Sequence, residues 1–187
     1  MGYEFATHIP FCYIYIHMKI VISEQQLRTI IKGQQKGAIL IGGKDDRKKN
    51  GTLIDKTLSE QISLLQSASG INNIIGLRYG TSEESIKKTI LDNPNFPVVL
   101  FSAGCEKAHV VLNTKGVNPN KVFLIQPWAG SQRSIGYYNK LNIPKNQIYV
   151  GKSSSAGNGI SGATRCPEGM THWGSLPAIG GMVLKTR

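Results

Sequence analysis

Ser102 and His172 are the two residues whose types and placement suit covalent chemistry. Ser102 follows the apolar run Val98-Val99-Leu100-Phe101 and opens the small-residue segment Ser102-Ala103-Gly104-Cys105. Four apolar residues after a proline read as a buried strand, and Glu106 to Leu112 has the composition of a helix. A serine on a tight strand-to-helix turn gains exposure, a helix dipole and a backbone N–H beside it, which are what a nucleophile needs. Its hydroxyl is weak at neutral pH and requires a base, for which His172 is the candidate. An oxyanion formed on attack requires donors aimed at it, and the N–H groups of Ala103 and of Gly42 or Gly43 are the expected ones. The plain alternative is a strand ending in an ordinary Ser/Gly loop, with His172 a packing residue beside Trp173.

The elements that must position these residues alternate strand and helix from Gly37 onward. Short apolar strands are expected at Ala38–Ile41, Ile74–Leu77, Val98–Phe101, Val122–Ile125 and Ile148–Val150, the last of these closing the sheet. Between them, helical spacing of Leu53, Ile54, Leu58, Ile62 and Leu65 predicts a helix over 53–67 stopped by Gly70. Ser82-Glu83-Glu84 opens another with an N-cap and first-turn acids. A polar helix covers 132–141, and an irregular one covers 172–184, interrupted by Pro177 and Gly180-Gly181. Short apolar strands separated by helices argue a three-layer α/β fold, its sheet mostly parallel and covered on both faces. Ligand sites in such sheets form beyond the carboxyl ends of the strands. Gly42-Gly43, Ser102-Ala103-Gly104, Gln126-Pro127-Trp128 and Gly151 to Gly159 all lie there.

Ser102-Ala103-Gly104-Cys105 resembles the Ser-Ala-Gly-Gly variant of the nucleophile elbow in α/β-hydrolase esterases, with Leu100 standing where G-x-S-x-G has glycine. The resemblance covers residues 38–184 as an abbreviated fold without a cap domain. It implies a serine esterase in which Ser102 attacks, His172 on the loop before the last helix serves as base, and Ala103 with Gly42 or Gly43 forms the oxyanion hole. Trp128 and Trp173 would line the substrate pocket. The family's third member, an acid that orients the histidine, has no counterpart in the loop Gly151–Gly159. Glu168, Asn158 and Gln126 remain open as the orienting group. No metal or organic cofactor is implied, and the partner would be a small-molecule or polymeric ester. The other reading is a catalytically silent hydrolase-like module, virion-associated or surface-bound, whose basic face binds an anionic polymer.

The 187 residues carry 22 Lys and Arg against 11 Asp and Glu, a formal charge of +11. Such a balance attracts anionic polymers non-specifically and is silent about fold. The lysines are dispersed, without a nucleic-acid-reading motif. Cys12, Cys105 and Cys166 have neither disulfide-framework nor zinc spacing, and Cys105 with His109, four residues apart, is a poor rival dyad inside the elbow helix. Gly151-Lys152-Ser153 fails as a P-loop because Asn146 occupies the first glycine position. Residues 11–22 are too short and polar to span a bilayer and lack the features of a signal peptide, so a soluble protein is expected. Residues 1–17 read as a disordered or loosely packed extension and 18–187 as a single α/β domain. A short strand and a helix capped by Ser23 open that domain, similar to the leaders of phage-encoded proteins.

Overall fold

A computed structural model describes residues 36–44, 48–49, 52–53, 56–128, 135–152 and 159–186. The expectations for the extension 1–17 and for the helix capped by Ser23 lie outside the described residues.

The apolar runs become strands in one parallel sheet. These are β1 (Gly37–Ile41), β4 (Asn73–Leu77), β5 (Val98–Phe101), β6 (Val122–Ile125) and β7 (Ile148–Val150). A small separate hairpin pairs β2 (Lys48–Lys49) with β3 (Thr52–Leu53). The sheet order is β4-β1-β5-β6-β7-β8, and every pairing in it is parallel. Its last strand, β8 (Thr164–Arg165), was not expected, because two partly exposed polar residues carry no apolar signal. Ladder pairing to Tyr149 and Val150 defines it instead.

The inner strands are buried on both faces, as continuous apolar strands in a covered parallel sheet must be. Alternate residues feed two cores. Ile39, Ile41, Val98, Leu100, Val122 and Leu124 face the helices α2 (Glu83–Asp92), α3 (Ala108–Leu112) and α4 (Ile135–Lys140). Ala38, Leu40, Val99, Phe101, Phe123 and Ile125 face α1 (Leu58–Ser69) and the C-terminal helical stretch. That stretch runs through α5 (His172–Ser175), a wide π-helical turn over Leu176–Gly180, and α6 (Gly181–Lys185). Pro177, which has no N–H to donate, sits in the π turn, so the expected irregularity falls there. The fold is therefore three-layered α/β.

Helix α1 begins five residues later than the apolar spacing suggested. Thr57 caps it: its Oγ1 accepts from Glu60 N at 3.3 Å while Glu60 Oε2 accepts from Thr57 N at 2.7 Å. This reciprocal capping box fixes the start and leaves Leu53 to the hairpin.

Candidate functional site

The chain passes from β1 to β4 on one side, then crosses to β5 on the other, and the later strands add outward from β5. The order thus reverses between β1 and β5. Doubly wound sheets open a crevice beyond the carboxyl ends of the strands at this point, because the connections there diverge to opposite faces. Gly42-Gly43-Lys44 leaves β1 into that crevice, and Ser102-Ala103-Gly104 leaves β5.

Ser102 turns the chain from strand to helix in a single residue. Phe101 has extended backbone, and Ser102 has φ +53°. A tight helical turn runs from Ser102 to Lys107, followed directly by α3. The left-handed conformation is uncommon outside glycine and costs about 1–3 kcal/mol. It is held by close packing: a Cβ at Gly104 would lie 2.3 Å from Ile41 O, and one at Gly43 would lie 2.9 Å from Ser102 Cβ and 3.4 Å from its Oγ. Both glycines are there because two strand ends meet at backbone distance. The half-buried Ser102 is thus pressed against the loop leaving β1.

The hydrogen bonds of that loop correct one expectation. Gly42 N donates to Leu77 O at 2.9 Å, and Gly43 N donates to Gln61 Oε1 at 3.0 Å. Neither N–H is left to receive an oxyanion. Gln61 is fully buried on α1, and its Nε2 donates to Lys56 O at 2.8 Å. It positions the loop, and sequence reasoning missed it. The signal was present, since Gln61 interrupts the apolar stripe of Leu58, Ile62 and Leu65. The first amide of the loop with no partner among the described residues belongs to Lys44.

His172 lies at the same end of the sheet, half-buried at the start of α5, with Thr171 as N-cap. Its ring centroid is 4.9 Å from that of Phe101, the residue before Ser102, and 5.4 Å from that of Trp173. Trp173 also packs on Phe101, at 5.2 Å. Trp128, more exposed, lies elsewhere: Lys44 Nζ sits 4.9 Å above its ring. The two tryptophans therefore belong to separate clusters.

The candidates for orienting His172 are dispersed. Glu168 is exposed and ion-paired with Lys152 at 2.5 Å. Gln126, fully buried and also at φ +53°, accepts from Gly151 N at 3.3 Å through Oε1, and its Nε2 lies 3.9 Å from Cys166 Sγ. It ties together the ends of β6, β7 and β8, so both side chains have structural partners here. Asn158 lies outside the described residues. The thiol rival has no support: Cys105 is fully buried, and its Sγ donates to Leu100 O at 3.2 Å. Burial pushes that thiol far above its ordinary pKa, the opposite of what a nucleophile requires.

One acid escaped sequence reasoning. Glu106, one turn after Ser102, is 4% exposed; its Oε2 accepts from Tyr79 Oη at 2.8 Å, while its Oε1 has no partner among the described residues. The described residues hold no group of three or more His, Cys, Asp or Glu that would bind a metal, and no helix long and apolar enough to cross a membrane. No family model, curated protein or solved structure matches the chain.

Proposed function

We propose that the protein is a serine hydrolase that cleaves carboxylic esters or related acyl bonds, with Ser102 as nucleophile and His172 as general base. The observation that carries this reading is the strained φ +53° of Ser102 at the topological switch point, directly against the Gly43 loop. Strain at a strand-to-helix serine is a recurrent feature of hydrolase nucleophiles, and here it accompanies a serine whose Oγ lies beside the Gly43 loop.

In this reading Ser102 Oγ attacks the ester carbonyl carbon as its proton passes to His172. The Ala103 N–H, with the Lys44 N–H replacing the engaged amides of Gly42 and Gly43, receives the oxyanion. Collapse expels the alcohol, which takes the proton from His172, and leaves an acyl-Ser102. A water then repeats the sequence, giving the acid and regenerating the hydroxyl. Donors of this kind contribute about 3–4 kcal/mol each in other hydrolases.

A fluorophosphonate should add once, to Ser102, and short p-nitrophenyl esters should turn over. Ser102→Ala should abolish both without lowering the thermal midpoint. His172→Ala should reduce kcat/KM by several orders of magnitude, as loss of a member of such a unit does. Full turnover in Ser102→Ala refutes the assignment. Absent labelling, joined to polyanion binding that survives ~150 mM salt, where screening is strong, would favour the silent binding module.

A further inference from the structure

The switch-point crevice is lined on one side by cations lying on aromatic rings. Lys44 Nζ is 4.9 Å from the ring centre of Trp128 and 5.7 Å from that of Tyr79, and Lys107 Nζ is 6.0 Å from Tyr79. Lys44 follows Gly43, which abuts Ser102, while Trp128 stands beyond the end of β6, the strand on the far side of β5. The Lys44 side chain therefore crosses the end of the strand that carries Ser102. Among the described residues neither ammonium has a carboxylate within ion-pair distance. Tyr79 is held in place by its hydrogen bond to buried Glu106, so the ring under both lysines is fixed. Ring faces attract and orient an ammonium without cancelling its net charge, and a partly buried cation at a fixed position favours an anionic ligand.

We infer that the crevice selects esters carrying an anionic group a few atoms from the scissile carbonyl, with Lys44 as the specificity-determining residue and Lys107 in support. This inference rests on the Ser102 reading for its ester and on the lysine geometry for its charge.

The test compares the p-nitrophenyl ester of hexanoic acid with the mono-p-nitrophenyl ester of adipic acid, which has the same chain length and ends in a carboxylate. The ratio of their kcat/KM values should favour the anion. It should fall about fivefold in Lys44→Gln, the upper end of what an exposed ion pair supplies, and the change should appear mainly in KM. Lys185→Gln, which removes the same charge from an exposed position on the last helix, should leave the ratio unchanged. A second arm measures binding of adipate monomethyl ester to Ser102→Ala by equilibrium dialysis, with and without Lys44→Gln. Turnover and fluorophosphonate labelling with a ratio indifferent to Lys44→Gln would overturn the charge selection and leave the Ser102 reading standing. No turnover or labelling, with monoester binding that depends on Lys44, would remove the ester and retain the anion site. Loss of both signals would overturn both.

Discussion

Gly104→Ala probes the contact on which the candidate site depends. Gly104 has a φ open to any L residue, so the substitution meets no backbone penalty and the question is one of space. The new Cβ would lie 2.3 Å from Ile41 O and 2.6 Å from Gly42 O, about 1 Å inside an ordinary contact of 3.4 Å. Neither oxygen belongs to a flexible side chain. Ile41 is paired on both sides, with Leu77 and Leu100, and Gly42 N is bonded to Leu77 O. The elbow must therefore move away from β1. Overpacking of this kind costs about 1–3 kcal/mol and occasionally more, while the stiffer unfolded chain returns about 0.4–1 kcal/mol. A net loss of about 1–2 kcal/mol lowers the thermal midpoint of a chain this size by roughly 2–8 °C. Gly80→Ala is the control, because Gly80 has no positive φ and no heavy atom within 4 Å of its Cβ position. It should raise the midpoint by roughly 1–4 °C, from the same unfolded-state term alone. Circular dichroism melts of the two variants, checked by urea titration, read the difference. A Gly104→Ala midpoint equal to that of Gly80→Ala would refute the close approach of elbow and β1, and the proposed oxyanion geometry with it. If the approach is real, fluorophosphonate labelling of Ser102 should slow by up to about 10²-fold, a loss that a 1 Å misplacement can cause.

Two further outcomes follow from the same hydrogen bonds. Gln61→Leu strands the buried Gly43 N–H, and an unpaired buried donor costs about 1–3 kcal/mol, so the midpoint should drop by roughly 2–12 °C; an unchanged melt would show that Gly43 does not depend on Gln61. The Thr57 backbone N–H, then its hydroxyl and the charge of Lys56, hold the Glu60 carboxyl below its ordinary value of 4.5, so the stabilisation from the capping box is complete above that value and is lost as the pH falls through the lower folded value. Thr57→Ala keeps the backbone N–H but removes the hydroxyl that also donates to the Glu60 carboxylate. It should therefore lower the midpoint more at pH 6 than at pH 3, and an equal loss at both would count against the hydroxyl's bond to the carboxylate.

What the sequence disclosed is what hydrophobicity encodes. Val98–Phe101 and Val122–Ile125 appear at the expected bounds because strands buried on both faces must be continuously apolar. β8 escaped for the same reason: Thr164 and Arg165 join the sheet through ladder pairing to Tyr149 and Val150, and such pairing leaves no trace in residue type. The start of α1 was written in Thr57-x-x-Glu60, but the apolar spacing of Leu53 and Ile54 extended the helix past its own cap. Strand order was hidden altogether, since each apolar run would pair equally well with any other.

The site divides along the same line. A sequence can nominate Gly43 for closeness, because only glycine lets two strand ends meet at backbone distance, and Ser102 does lie there. It cannot say where the amide of Gly43 points, and that direction decides whether the residue stabilises an oxyanion or merely completes the scaffold. Gln61 takes that N–H from eighteen residues away, through a side chain that on composition alone reads as a polar interruption of a helix. The consequence is chemical as well as structural. With Gly42 bound to Leu77 and Gly43 to Gln61, the first amide without a partner among the described residues is that of Lys44, the residue whose ammonium also crosses the end of β5. In the proposed hydrolase one residue would then serve two purposes, its backbone stabilising the oxyanion and its side chain selecting the charge of the substrate. Substituting the Lys44 side chain tests only the second of these, whereas displacing the loop through Gln61→Leu tests the first. The two variants should therefore lose activity differently, Lys44→Gln mainly in KM toward anionic esters and Gln61→Leu in kcat toward all esters alike.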